Sequence, residues 1–133
     1  MSVVESERDC RELVVRSIRA LDGREYDIIA GAFAEDGVWE RGGEQLVGPR
    51  AVRDALDKRP AELETQHLVS NLVVDMVSEN VAVVRYTLCA YAQTADAAYH
   101  LHAIFKATDH LGRTPDGWRF ANRAVQPAFS PRG

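Results

Sequence analysis

Four strand-like runs fill the second half of the chain, and their short separators limit the fold more than any other feature. The runs are roughly Thr65–Val77, Val81–Gln93, Ala98–Asp109 and Gly117–Pro127. Between them lie only Ser78-Glu79-Asn80, Thr94-Ala95-Asp96 and a loop from His110 to Asp116. A parallel crossover needs a dozen or more residues, so these connections dictate antiparallel meander pairing.

The first half reads as helical. Ser6 is placed to cap a helix, with Asp9 three residues on. Cys10, Leu13, Val14, Ile18 and Leu21 then form one apolar stripe at helical spacing, and Gly23 stops it. A second short helix turns Tyr26, Ile29, Ala30 and Phe33 inward. Glu35-Asp36-Gly37 is expected to turn the chain into a short strand, Val38–Glu40. Arg41-Gly42-Gly43-Glu44 then makes a hairpin to Gln45-Leu46-Val47. Gly48-Pro49 opens a third helix, which Pro60 closes. Helices first and antiparallel strands afterwards give an α+β fold, with the helices packed on one face of an antiparallel sheet.

Leu72, Val73, Val74, Met76 and Val77 are apolar in both strand parities, as are Val81 to Val84. A sheet with one wet face alternates, so both faces here want cover. Helices supply one cover. A second copy of the chain is expected to supply the other, which makes a homo-oligomer, and above all a dimer, the expected state.

At 133 residues the chain makes one domain, with loose ends expected at about 1–5 and 128–133. A net charge of -4, with Arg8, Arg11, Arg16 and Arg19 interleaved among acids, argues against a nucleic-acid surface. Cys10 and Cys89 belong to no close Cys/His cluster, so a structural zinc site is not expected. The absence of a leader-like start or a membrane-length apolar run points to a cytoplasmic protein that needs no membrane.

The residue with the most chemistry to offer is His67, at the head of the run Leu68–Val77. Histidine exchanges protons near neutral pH, so this one is either a satisfied polar group or a general acid/base on a pocket wall. His67 shares a parity with Val69, Asn71 and Val73, while Leu68, Leu72, Val74 and Met76 form the more apolar face. A β-bulge would reconcile the two. Asp22, four residues after Ile18 and beside Gly23, is either a solvated turn residue or an acid reaching inward. Further pocket candidates are Trp39, Asn71, Tyr86, Tyr91, His102 and Phe105. His100 and His102, at i and i+2, lack nearby carboxylates or cysteines and read as a polar strand edge, not a metal site.

Several strings together carry a family resemblance. They are Leu21-Asp22-Gly23-Arg24-Glu25-Tyr26-Asp27, Phe33-Ala34-Glu35-Asp36-Gly37-Val38-Trp39, Gly48-Pro49-Arg50-Ala51-Val52, Thr65-Gln66-His67 with Asn71, and Gly117-Trp118-Arg119-Phe120. In this order and spacing the chain resembles the SnoaL-like branch of the nuclear transport factor 2-like superfamily, the fold of scytalone dehydratase and ketosteroid isomerase. The resemblance implies a bent antiparallel sheet wrapped around three helices to form a cone with an internal apolar pocket, and catalytic roles for His67 and Asp22. It implies a cofactor-free dehydratase or isomerase acting on a small hydrophobic oxygenated molecule, with no metal or nucleotide. The family also contains noncatalytic ligand-binding domains and structural subunits of dioxygenase assemblies, which stand as the alternatives. In one respect the chain departs from scytalone dehydratase: Leu21 stands where that enzyme has a tyrosine.

Overall fold

The computed structural model describes residues 2–130. Helix α1 spans Val3–Asp22 and is capped by Ser2, whose hydroxyl accepts the Glu5 N–H at 3.1 Å. The cap therefore lies four residues before Ser6, which is buried in the helix interior. Residues 3–5, expected to be loose, form the first helical turn. Ala128 is tied to Ile104 by a 2.8 Å backbone bond, and Met1 and 131–133, also expected to be loose, lie outside the described residues.

Gly23 ends α1 with an ordinary φ of -83, and the left-handed residue is Arg24 at φ +56. A non-glycine residue there costs energy. The Arg24 guanidinium compensates by donating to the carbonyls of Pro60, Ala61 and Leu63, pinning the turn to the segment before β3.

Helix α2 is Tyr26–Gly31, followed by β1 Phe33–Arg41, β2 Glu44–Val47, α3 Gly48–Asp57, β3 Glu64–Met76, β4 Val81–Gln93, β5 His100–Thr114 and β6 Gly117–Pro127. The curved, unclosed sheet runs in the order β2-β1-β6-β5-β4-β3. All pairs are antiparallel except β1 with β6, which are parallel. Thus Phe33 is a strand residue, and 35–37 is an irregularity inside β1, between the pairs Phe33–Phe120 and Val38–Asn122. Only glycine fits at position 37, where an added Cβ would stand 2.4 Å from the Phe120 carbonyl oxygen. Strand β5 continues through His110–Thr114, so the expected loop shrinks to Pro115-Asp116.

The core lies between α1, α3 and the concave sheet face. Cys10, Val14, Val52, Leu56, Val84, Leu111 and Phe120 are nearly or wholly shut off from solvent. On β4 the even residues Ala82 to Ala92 face inward, whereas Arg85 is exposed. On β3 the inward set changes parity. Ser70 pairs with Thr87 but Val73 with Arg85, so one extra residue is inserted, and Asn71 adopts φ +54 there. This bulge turns Thr65, His67 and Val69 inward before it, and Leu72, Val74 and Met76 inward after it.

Candidate active site

Asp22 is the last residue of α1, one turn beyond Ile18, and the packing of α1 on β3 carries its carboxylate to the start of that strand. Its Oδ1 lies 2.6 Å from His67 Nδ1, and its Oδ2 accepts the His67 backbone N–H at 2.8 Å. The Thr65 hydroxyl also donates to Oδ1, at 2.9 Å. Burial pushes the Asp22 acid up, but the bonds from His67 and Thr65 outweigh it and hold Asp22 below the usual carboxylate value. An ionised Asp22 requires an N–H on His67 Nδ1. Nε2 is left as the nitrogen that exchanges protons.

Behind the pair stands a supporting row. Arg59 donates to Thr65 Oγ1 at 3.1 Å, to the Tyr26 hydroxyl at 2.9 Å and to the Leu21 carbonyl at 3.2 Å. Tyr26 is a buried core residue that also accepts from Arg24. It does not fill the place of the tyrosine that Leu21 lacks.

His67 sits in the wall between two spaces. One is an open groove between α1 and β3. The other is a cavity of about 490 Å³ inside the cone. The cavity is the better reaction site, because its walls are chiefly aliphatic and aromatic: Ile18, Leu21, Trp39, Leu88, Phe105 and Val125. Trp39 stacks on Phe33 at 5.9 Å, and the Arg41 guanidinium, also in the cavity wall, covers its ring at 5.0 Å.

Of the residues singled out from sequence, His67, Trp39, Tyr86 and Phe105 border this cavity, and Asp22 stands directly behind His67. Asn71, Tyr91 and His102 are not among its lining residues. Asn71 is spent on the bulge and faces solvent. Tyr91 has outward parity on β4 and lies near Tyr99, ring centroids 6.5 Å apart. His102 is the extra residue where the pairing passes from Ala90–Ala103 to Tyr91–Leu101, and it is exposed beside His100.

Sequence reasoning missed a buried polar group in the cavity wall. Arg123 pairs twice with Asp109: Nε to Oδ1 at 3.0 Å and Nη2 to Oδ2 at 2.9 Å. Nη2 also donates to Ser17 Oγ at 2.9 Å. The Tyr86 hydroxyl donates to Asp109 Oδ2 at 2.8 Å, so Tyr86 borders the cavity with its proton already committed. Burial pushes the Tyr86 phenol well above its ordinary value and works against charge on Arg123, but Asp109 more than restores it. A faint signal existed: on their own strands both charges share the inward parity of apolar neighbours, Ala107 and Leu111 beside Asp109, Val125 beside Arg123. Ending the third strand at Asp109 hid it, because a terminal charge reads as a solvated strand end.

Among the described residues no group of three or more histidines, cysteines or acids is placed to hold a metal ion. No described helix is long and apolar enough to cross a membrane.

Residues 2–124 match the model of the SnoaL-like domain. The chain belongs to this family. Solved structures repeat the fold at low identity. An NTF2-like protein with a cystatin-like fold from Novosphingobium aromaticivorans is 20% identical, with a TM-score of 0.85 over 97% of this chain and 86% of that one. A candidate scytalone dehydratase from the same organism is also 20% identical, with a TM-score of 0.81 over 92% and 83%. ActVI-ORFA of Streptomyces coelicolor is 18% identical, with a TM-score of 0.77 over 91% and 96%. At such identities the likeness is one of fold. No curated protein matches the chain.

Proposed function

We propose that this SnoaL-like protein is a cofactor-free dehydratase or isomerase of small hydrophobic ketones, with His67 as the proton carrier. One observation carries the reading: the 2.6 Å contact between Asp22 and the Nδ1 of a histidine that borders an apolar cavity. Asp22 fixes the tautomer and stabilises the imidazolium, so Nε2 can take a proton from carbon beside a carbonyl. The electron pair left behind moves onto the carbonyl oxygen as an enolate. Collapse of the enolate expels a β-hydroxyl, which leaves as water with the proton returned by His67. If the proton is returned to another carbon instead, the net reaction is an isomerisation. The dehydratase label of one structural neighbour agrees with this chemistry, but fold alone does not assign it.

The test uses 3-hydroxy-1-tetralone, whose loss of water gives 1-naphthol, followed by absorbance. His67→Ala is expected to slow this reaction by roughly 100- to 10,000-fold, the usual worth of a positioned acid/base. Asp22→Asn should cost less, since the imidazole remains. Thermal melts check that both variants fold. A rate unchanged in His67→Ala would leave the cavity as a noncatalytic binding site.

A further inference from the structure

Arg123 offers the cavity more than structure. Its side chain is only 3% exposed, and two of its three guanidinium nitrogens are engaged by Asp109 and Ser17. Among the described residues Nη1 makes no hydrogen bond. Nor does it belong to the unpaired atoms that protein wholly encloses, which are Trp39 Nε1, Trp118 Nε1 and Asn122 Oδ1. The space this side chain borders is the cavity that also holds His67.

A buried N–H donor without an acceptor is costly, and an arginine held rigidly by a carboxylate and a hydroxyl is a fixed donor. Asp109 already balances its charge, so the free edge suits a neutral oxygen that gains negative charge during reaction better than a permanent anion. The Tyr86 hydroxyl cannot serve instead, because Asp109 holds its proton.

We infer that Arg123 Nη1 is the oxygen-recognition point of the cavity and that its ligands are cyclic or aromatic ketones, held by the carbonyl oxygen. Resting on the acid/base reading of His67, this places the enolate oxygen on Arg123. The electron pair released when Nε2 takes the carbon-bound proton then ends on an oxygen that already accepts an N–H. The contact strengthens as charge develops, so Arg123 both selects the substrate class and lowers the barrier.

Two probes of the same frame separate oxygen recognition from apolar burial: 1-tetralone, and tetralin, which lacks the carbonyl. Wild type should bind 1-tetralone at least about tenfold more tightly than tetralin, the scale of a hydrogen bond to a charged group. Arg123→Met alone would strand Asp109, and removing Asp109 would free the Tyr86 hydroxyl to donate into the cavity. Arg123→Met is therefore combined with Asp109→Leu and Tyr86→Phe, which replaces the polar cluster with apolar groups of similar volume. In that triple variant the preference should fall below about threefold while tetralin affinity stays the same. His67→Ala should keep the preference. Should the triple variant fail to fold, the Arg123 side-chain N–H resonances of wild type decide: 1-tetralone should shift them and tetralin should not. Equal binding of the two probes by wild type, no binding of either at millimolar concentration, a preference that survives in the folded triple variant, or unshifted Arg123 resonances would each overturn the inference. Dehydration of 3-hydroxy-1-tetralone reports on His67 separately. Loss of His67 dependence with the preference intact sinks only the acid/base reading, and the converse sinks only the role of Arg123.

Discussion

Asp22 shows how one carboxylate at a helix end can be held in a place where the helix dipole opposes it. A negative charge in the last turn costs a few tenths of a kcal/mol to about 1. Two N–H groups of His67 and the Thr65 hydroxyl offset that cost, and they favour the ionised form. Because the folded state lowers the pKa of Asp22 below its ordinary 3.8, the stability it adds is complete above that value and is lost as pH falls through the lower, folded value. Asp22→Asn should therefore lower stability by about 2 kcal/mol at pH 5 to 7, as expected for bonds to a charged group. The difference from wild type should close below pH 3.8, and urea midpoints across this range measure it. His67 and Asp22 were legible as candidates from sequence because one heads an apolar strand and the other borders a helical stripe. Arg59 and Thr65, which complete the setting, were not, since their meeting depends on the turn that Arg24 pins.

The decisive element is the β3 bulge. Without it, the parity of Leu72, Val74 and Met76 would put His67 on the outer face, and the dyad with Asp22 would not form. That conflict is visible in the sequence, and a bulge resolves it, but its position is set by three-dimensional pairing with β4 between Thr87 and Arg85. Asn71 occupies the left-handed position, a conformation asparagine tolerates and β-branched residues resist. Asn71→Gly should leave stability within about 0.5 kcal/mol of wild type. Asn71→Val should destabilise by about 1–2 kcal/mol and weaken any His67-dependent activity further, through loss of register. Denaturant titration with a rate assay separates the two effects, and an Asn71→Val variant as stable as wild type would show that the bulge lies elsewhere. The parallel β1–β6 pair was illegible for a related reason. Nothing local in Phe33–Arg41 says that its partner is the last strand, more than eighty positions away.

At the scale of the whole molecule, the apolar residues that made the sheet appear two-faced divide into two groups. The bulge sends Leu72, Val74 and Met76 into the core and leaves Val73 outside, next to Arg85 and Thr108 in register. The outer face is therefore less apolar than the sequence run implies. Val73, Val77 and Val81 stay exposed towards one end, and at the other Leu68, Cys89 and Ile104 align across three strands with Tyr91 and Leu101 next to them. Leu68 is 51% exposed and Leu101 47%. We propose that a second copy covers this end. The patch belongs to strands β3 and β5, which flank β4, and a two-fold contact through β4 would set like patches against each other. Light scattering at micromolar concentration should give a dimer, and Leu68→Asp with Leu101→Asp should give a folded monomer, because both side chains are exposed and their replacement leaves the core untouched. Leu68 follows His67 directly, so such a contact would also stiffen the strand that holds the imidazole, and the monomeric variant should lose activity without losing its thermal transition. A wild-type monomer would remove both expectations and leave the outer face to some other partner.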